Sequence, residues 1–178
     1  MTYLKTGRNA HSNATGPMSE VIEFSTSQMT DDDLAAIATY LKDMPGQDQG
    51  EGSRAPAAME PGIAKAGEAI YVDQCSACHR VSGEGVPDFF PALKGDANAQ
   101  QSDPTTVVRV ILQGARSVPT DARPTPLSMP AFDWKLTDAQ VAAVSTYVRN
   151  SWGNAAPAVS ADQVKDLRSK LRTGANAE

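Results

Sequence analysis

Cys75-Ser76-Ala77-Cys78-His79 is the stretch on which the reading of this chain turns. It holds both of the chain's cysteines, three positions apart. That count and spacing exclude a disulfide framework and leave redox, metal or haem chemistry. C-x-x-C-H is the attachment signature of c-type haem. Its two thiols add across the haem vinyl groups, and the histidine that follows is set beneath the iron to donate an imidazole nitrogen. Other readings stand beside it. A thioredoxin-like C-x-x-C calls for a βαβ setting, and no such pattern surrounds this one. A structural zinc site calls for four ligands, but the second histidine, His11, stands 64 residues before Cys75. A pair of thiols with a purely structural role is the remaining reading.

Fifty residues beyond His79 lies Met129, within Leu127-Ser128-Met129-Pro130-Ala131-Phe132. Methionine is ordinarily core filler. A proline-rich loop just ahead of a helix suits that role poorly and suits a second axial ligand well. Thioether ligation favours ferrous iron and raises the potential. An iron with both axial positions filled suits electron transfer, because it offers no vacancy to substrate or oxygen. The rival is a haem enzyme, or a sensor of peroxide or a diatomic gas, with an open axial position. It requires that Met129 does not bind.

The surrounding pattern predicts a mainly α chain. A helix is expected over 30–43, with Thr30 as its cap, three aspartates at its positive end and Pro45-Gly46 beyond it. Others are expected over 61–74, over 104–113 between Pro104 and Gly114, from Thr137 with a T-x-x-Q capping box, and over 160–172. Tyr3 and Leu4 read as the end of a helix closed by Gly7. Residues 80–103 and 118–130 read as loops, and 46–60 and 153–160 as linkers poor in apolar bulk. Nothing alternates with a strand period for long.

The 178 residues carry 40% hydrophobic residues and a formal net charge of −5. That is enough apolar content for a core, and the acidic balance without a basic run excludes a nucleic-acid binder. No stretch approaches the roughly 18 apolar residues that span a bilayer.

A shift of 107 residues brings two parts of the chain into register. Gly7 falls on Gly114, Thr30-Asp31 on Thr137-Asp138, Ala35-Ala36 on Ala142-Ala143, and Thr39-Tyr40 on Thr146-Tyr147. Residues 1–44 therefore read as a copy of 108–151 that lacks a counterpart of 60–107.

Residues 60–152 resemble a class I cytochrome c domain. The C-S-A-C-H signature, the Pro91-Ala92-Leu93-Lys94-Gly95 segment and the Met129-Pro130 loop match that family in order and spacing. The resemblance implies helices wrapped round the haem, with the first and last crossing at Gly67-Glu68-Ala69-Ile70-Tyr71 and Tyr147. It also implies that the Pro91 carbonyl accepts a hydrogen bond from His79. Thr2 to Pro45, with Gly16-Pro17-Met18, and the tail from Ser151 are similar to the triple-haem cytochrome subunits of membrane-bound alcohol dehydrogenases and of gluconate, sorbitol and aldehyde dehydrogenases. In that reading Met18 is the axial ligand of a haem whose own C-x-x-C-H is missing.

The expected organisation is the C-terminal half of a preceding cytochrome c domain over 1–45, a linker over 46–60, a complete domain over 61–152, and a linker with an amphipathic helix over 153–178. One covalent haem c per chain is expected, held by Cys75 and Cys78, with His79 and Met129 on the iron. The expected function is electron carriage rather than catalysis. Electrons would pass from a quinoprotein or other dehydrogenase subunit to quinone or a terminal oxidase. The expected place is the periplasm, peripheral to the inner membrane, with membrane association only through the complex or missing segments. Haem attachment outside the cytoplasm calls for a signal peptide, and the first residues show no apolar core segment or cleavage site. The chain is therefore expected to be an internal fragment or to have a mis-assigned start. Lys94, Arg109 and Arg116 are candidates for the haem rim, and His11 for a surface position.

Overall fold

The computed structural model describes residues 1–45, 60–121 and 124–174. In their described parts they form two compact units, Met1–Ser53 with Arg116–Ser128, and Arg54–Ala115 with Met129–Glu178. Residues 116–128, which lie inside the 61–152 segment of the sequence division, thus cluster with the first unit. The linker expected at 46–60 lies, apart from Glu60, outside the described residues.

The first unit holds α1 (Thr2–Thr6), α2 (Pro17–Phe24), a 3-10 turn (Thr26–Gln28) and α3 (Asp31–Asp43). Gly7 closes α1 in the left-handed region, at φ 78°, and its N–H bonds the Tyr3 carbonyl. Ala14, Ile22 and Val118 form a small core with Tyr3 against it. Helix α2 has no counterpart in the sequence reading; of its apolar residues Ile22 alone is buried, and Met18, Val21 and Phe24 are exposed.

The second unit carries the main core. It contains α4 (Pro61–Gln74), α5 (Ser76–His79), α6 (Thr105–Gln113), α7 (Asp138–Asn150) and α8 (Ala161–Gly174). The chain is mainly α, as its pattern predicts. Two-residue strands β1 (Ala115–Arg116) and β2 (Ser128–Met129) pair as a ribbon, too short to leave any alternation in the sequence. Helix α4 crosses α7, and the crossing is made by glycine. A Cβ on Gly67 would stand 2.4 Å from the Ala143 carbonyl oxygen and 2.8 Å from the Tyr147 Cβ. Tyr71, Tyr147 and Trp152 gather beside it, with ring centroids 5.0 to 5.7 Å apart.

The segment 153–160, read as a linker, is packed into this unit. Asn154 is fully buried, accepts from the Gly95 N–H, and donates to the carbonyls of Leu93 and Val148. Ala156 and Val159 are buried beside it. Composition misreads the segment because its anchors are one amide and two small apolar residues. Helix α8 opens with a reciprocal cap between Ser160 and Gln163 and lays Val164, Leu167 and Leu171 on the main core.

The 107-residue repeat has structural content. Helices α3 and α7 are both 13 residues long and are capped alike, by Thr30 and Thr137 accepting from the backbone N–H three residues on. They differ in cover. Helix α7 buries eight residues and α3 buries Leu34 alone, leaving Tyr40 and Leu41 exposed.

One buried acid gives a stability prediction. Asp96 is buried, and burial pushes its pKa up against hydrogen bonds from Ala99 and Asn98. A carboxyl whose folded pKa is raised favours folding below its unfolded value and loses that advantage as pH rises through the folded one. Asp96→Asn keeps an acceptor for the Ala99 N–H and removes the charge. The variant should match or exceed the parent's melting temperature at pH 7 and lose the parent's decline above about pH 4. Thermal unfolding at several pH values checks this, and a lower Tm for the variant at pH 7 counts against it.

Candidate haem-attachment site

Helix α4 ends at Cys75, and the chain makes one further turn. The Cys78 and His79 N–H groups both bond the Cys75 carbonyl, at 3.2 and 3.0 Å. A helical turn sets residues three apart on one face, so the two thiols of C-x-x-C look the same way. Arg80 stops the turn with φ 64°, and its carbonyl takes the Tyr71 hydroxyl at 2.6 Å.

The loop that follows folds back to serve the histidine. Gly85 donates its N–H to the His79 carbonyl at 2.9 Å, and Val86 bridges Phe90. A Cβ on Gly85 would lie 2.3 Å from the Phe90 oxygen and 2.6 Å from the Pro91 oxygen. With φ 64° and no side chain, Gly85 lets the Pro91 carbonyl come in. That oxygen is 2.9 Å from His79 Nδ1. A carbonyl only accepts, so Nδ1 carries the proton and Nε2 keeps its lone pair for a metal. Such a bond also fixes the ring and raises its basicity as a ligand. Burial depresses the His79 pKa more than the Pro91 contact restores it, which keeps the ring neutral.

The cysteines are free and half-buried. Burial, with Cys78 alongside, pushes the Cys75 thiol up to about 11. A redox C-x-x-C needs the opposite shift. A zinc site needs several convergent donors, and among the described residues no group of three or more His, Cys, Asp and Glu gathers.

Met129 is half-buried on β2 and packs on the same core as Cys75, Ile70, Leu93 and Trp152. Gly114, at φ 76°, lets its backbone approach, since a Cβ there would stand 2.4 Å from the Met129 carbonyl oxygen. Beyond Met129, the N–H groups of Phe132 and Asp133 bond the carbonyls of Ile111 and Leu112 at the end of α6. Two thiols on one turn, an imidazole with its outer nitrogen bare and a thioether on the same core form a donor set that fits a covalently held haem.

Structure thus brings Pro91 to His79, and sets Cys75 and Met129 on one core. Met18 lies in the first unit, at the start of α2, 38% exposed. His11 is exposed, with its N–H on the Asn9 side chain. Lys94 is exposed and pairs with Glu84 at 3.8 Å. Arg109 is half-buried on α6, and Arg116 is exposed and belongs to the first unit. Sequence reading missed Gly85 and Gly114 as supports of the site. Their φ values and close approaches carry no signal in one sequence beyond the presence of glycine in a loop.

Comparison with known proteins agrees with this geometry. Residues 64–152 match the family described as Cytochrome c. The chain is 38% identical over 177 residues to the gluconate 2-dehydrogenase cytochrome c subunit of Pantoea cypripedii, covering 93% of this chain and 40% of that protein. It is 37% identical over 175 residues to the cytochrome c subunit of alcohol dehydrogenase (quinone) of Gluconobacter oxydans, covering 94% and 37%. It is 36% identical over 191 residues to the fructose dehydrogenase cytochrome subunit of Gluconobacter japonicus, covering 93% and 39%. The chain therefore spans about two fifths of the length of these relatives.

Proposed function

The chain belongs to the cytochrome c family, and from that premise we propose that it carries electrons through one covalently attached haem c. Cys75 and Cys78 are the attachment residues, and His79 and Met129 are the axial ligands. The bound haem supplies a one-electron ferric–ferrous couple. The observation that carries the reading is the 2.9 Å contact between His79 Nδ1 and the Pro91 oxygen, which leaves a neutral, oriented Nε2 directly after the two thiols. In this reading Cys75, Cys78, His79 and Met129 hold the group, and the names of the relatives, cytochrome subunits of dehydrogenases, support a carrier.

The donor in this reading is a dehydrogenase subunit, as the names of the relatives suggest, and the acceptor is a quinone or a terminal oxidase. The place is the periplasmic side of the inner membrane. Among the described residues no helix is long and apolar enough to cross a membrane. In this reading residues 1–45 are the C-terminal half of another cytochrome c domain without its own C-x-x-C-H, and Met18 is an orphan axial ligand whose haem is missing. The matched caps and lengths of α3 and α7 support this.

The test is the haem content and spectrum of the purified chain. One haem per polypeptide is expected, low-spin in both oxidation states, with a methionine-to-iron charge-transfer band in the ferric form. A ratio of two, or a high-spin ferric form that takes cyanide at once, overturns the reading. The net charge of −5 adds a further expectation. Reduction by a dehydrogenase partner that presents a basic patch should slow as salt rises, because screening removes the steering.

A further inference from the structure

Arg168, on α8, reaches back to the segment that follows Met129. Its side chain is 13% exposed, and its guanidinium makes three short bonds. Nε donates to Asp138 Oδ1 at 2.7 Å, Nη1 to the Asp133 carbonyl at 2.7 Å, and Nη2 to the Leu136 carbonyl at 2.8 Å. Those carbonyls belong to the turn that leads from the methionine loop into α7. Lys135 and Leu136 both donate their N–H to the Phe132 carbonyl, and the Asp133 and Leu136 oxygens take the Arg168 guanidinium. The planar fork of arginine meets two carbonyls and a carboxylate at once, which a lysine ammonium does not reproduce.

The rest of α8 makes this a fixed anchor. Val164 is fully buried, and Leu167 and Leu171 pack on the core that also receives Met129 and Cys75. The turn is gripped from two further sides. Phe132 and Asp133 are tied to α6, and Lys135 Nζ donates to Gln74 Oε1 at 2.6 Å, one residue before Cys75.

We propose that Arg168 is a positioning residue for the redox centre, clamping the 133–136 turn so that Met129 stays on the iron. The C-terminal helix is in this view a working part of the electron-transfer domain. The proposal rests on the reading of Met129 as the axial ligand. Its effect is largest in the ferric state, where a soft thioether binds least firmly and depends most on the chain that presents it.

The test uses the full haem-loaded chain and measures the rate at which cyanide binds the ferric form, which reports how often Met129 leaves the iron. Arg168→Ala should bind cyanide roughly tenfold faster or more, the size expected when charge-assisted hydrogen bonds are lost from a part-buried turn. Arg168→Lys keeps a positive charge near Asp138 and should fall between the parent and the alanine variant. It also serves if the alanine variant does not fold. Haem content and the ferrous spectrum should match the parent in both. Folded variants with the parent's cyanide rate and an unchanged charge-transfer band overturn the clamp. A parent protein that lacks the methionine-to-iron band overturns the reading of Met129, and the clamp with it.

Discussion

Met129→Ala should convert the ferric protein from low spin to high spin and lower its potential. The fall should be a substantial part of the roughly 0.8 V range over which axial ligands set haem potentials. The covalent haem content should not change, because Cys75 and Cys78 are remote from the substitution in sequence and sit on their own helical turn. The histidine side should also be untouched, since the Pro91 carbonyl fixes the His79 ring independently of Met129. The thioether is thus the one contribution removed. Met129 is only half-buried, so the packing loss should be about 1–2 kcal/mol, below the usual range for a buried Met→Ala change. Met129→His is the companion. It should restore a low-spin iron at a potential below the parent's, because a second imidazole favours ferric iron where a thioether favours ferrous. An alanine variant that stays low-spin at the parent's potential assigns the axial position to another residue.

The second large effect concerns stability. Gly67→Val should unfold the second unit at a much lower temperature. Its Cβ would stand 2.4 Å from the Ala143 carbonyl oxygen, and that neighbour is backbone inside a helix rather than the end of a flexible side chain. The two helices must therefore separate. Overpacking of this kind costs about 3 kcal/mol, which for a domain near 100 residues corresponds to a fall in Tm on the order of 10 °C. Tyr71, Tyr147 and Trp152 lose their mutual packing with the same movement. Gly62→Val is the control, since nothing lies within 4 Å of a Cβ there. Thermal unfolding of the two variants separates a clash at the crossing from a general penalty for valine in α4. Equal Tm values would remove the crossing from the account.

Much of the local structure was legible in the residues. Thr137 and Gln140 form the capping box their spacing predicts, and α4 runs over the predicted 61–74. Gly7 and Gly114 end their helices as predicted, Gly7 in the left-handed helical conformation and Gly114 with a positive φ of 76° and an extended ψ. Such features are short-range, so a single stretch of chain holds all the information they need. The segment 153–160 shows the converse. Its composition is that of a tether, yet Asn154 joins the end of α7 at Val148 to the distant backbone of Leu93 and Gly95. A buried amide and an exposed one look alike in a sequence.

The candidate site divides the same way. C-x-x-C-H declares its chemistry by spacing alone, because one helical turn is enough to align two thiols and place a histidine after them. The sequence by itself therefore determined the family, the helical class and the kind of cofactor. The resemblance implied Pro91 as the acceptor for His79, but only the tertiary structure decided that Nδ1 makes the bond, and that Gly85, without a Cβ, admits the carbonyl. Only it showed that α8 reaches the turn after the methionine loop through Arg168, across thirty and more residues of chain. The physical reason is that such contacts are local to the fold. Hydrogen bonds to backbone carbonyls are made without regard to which side chain the accepting residue carries, so no residue type announces them.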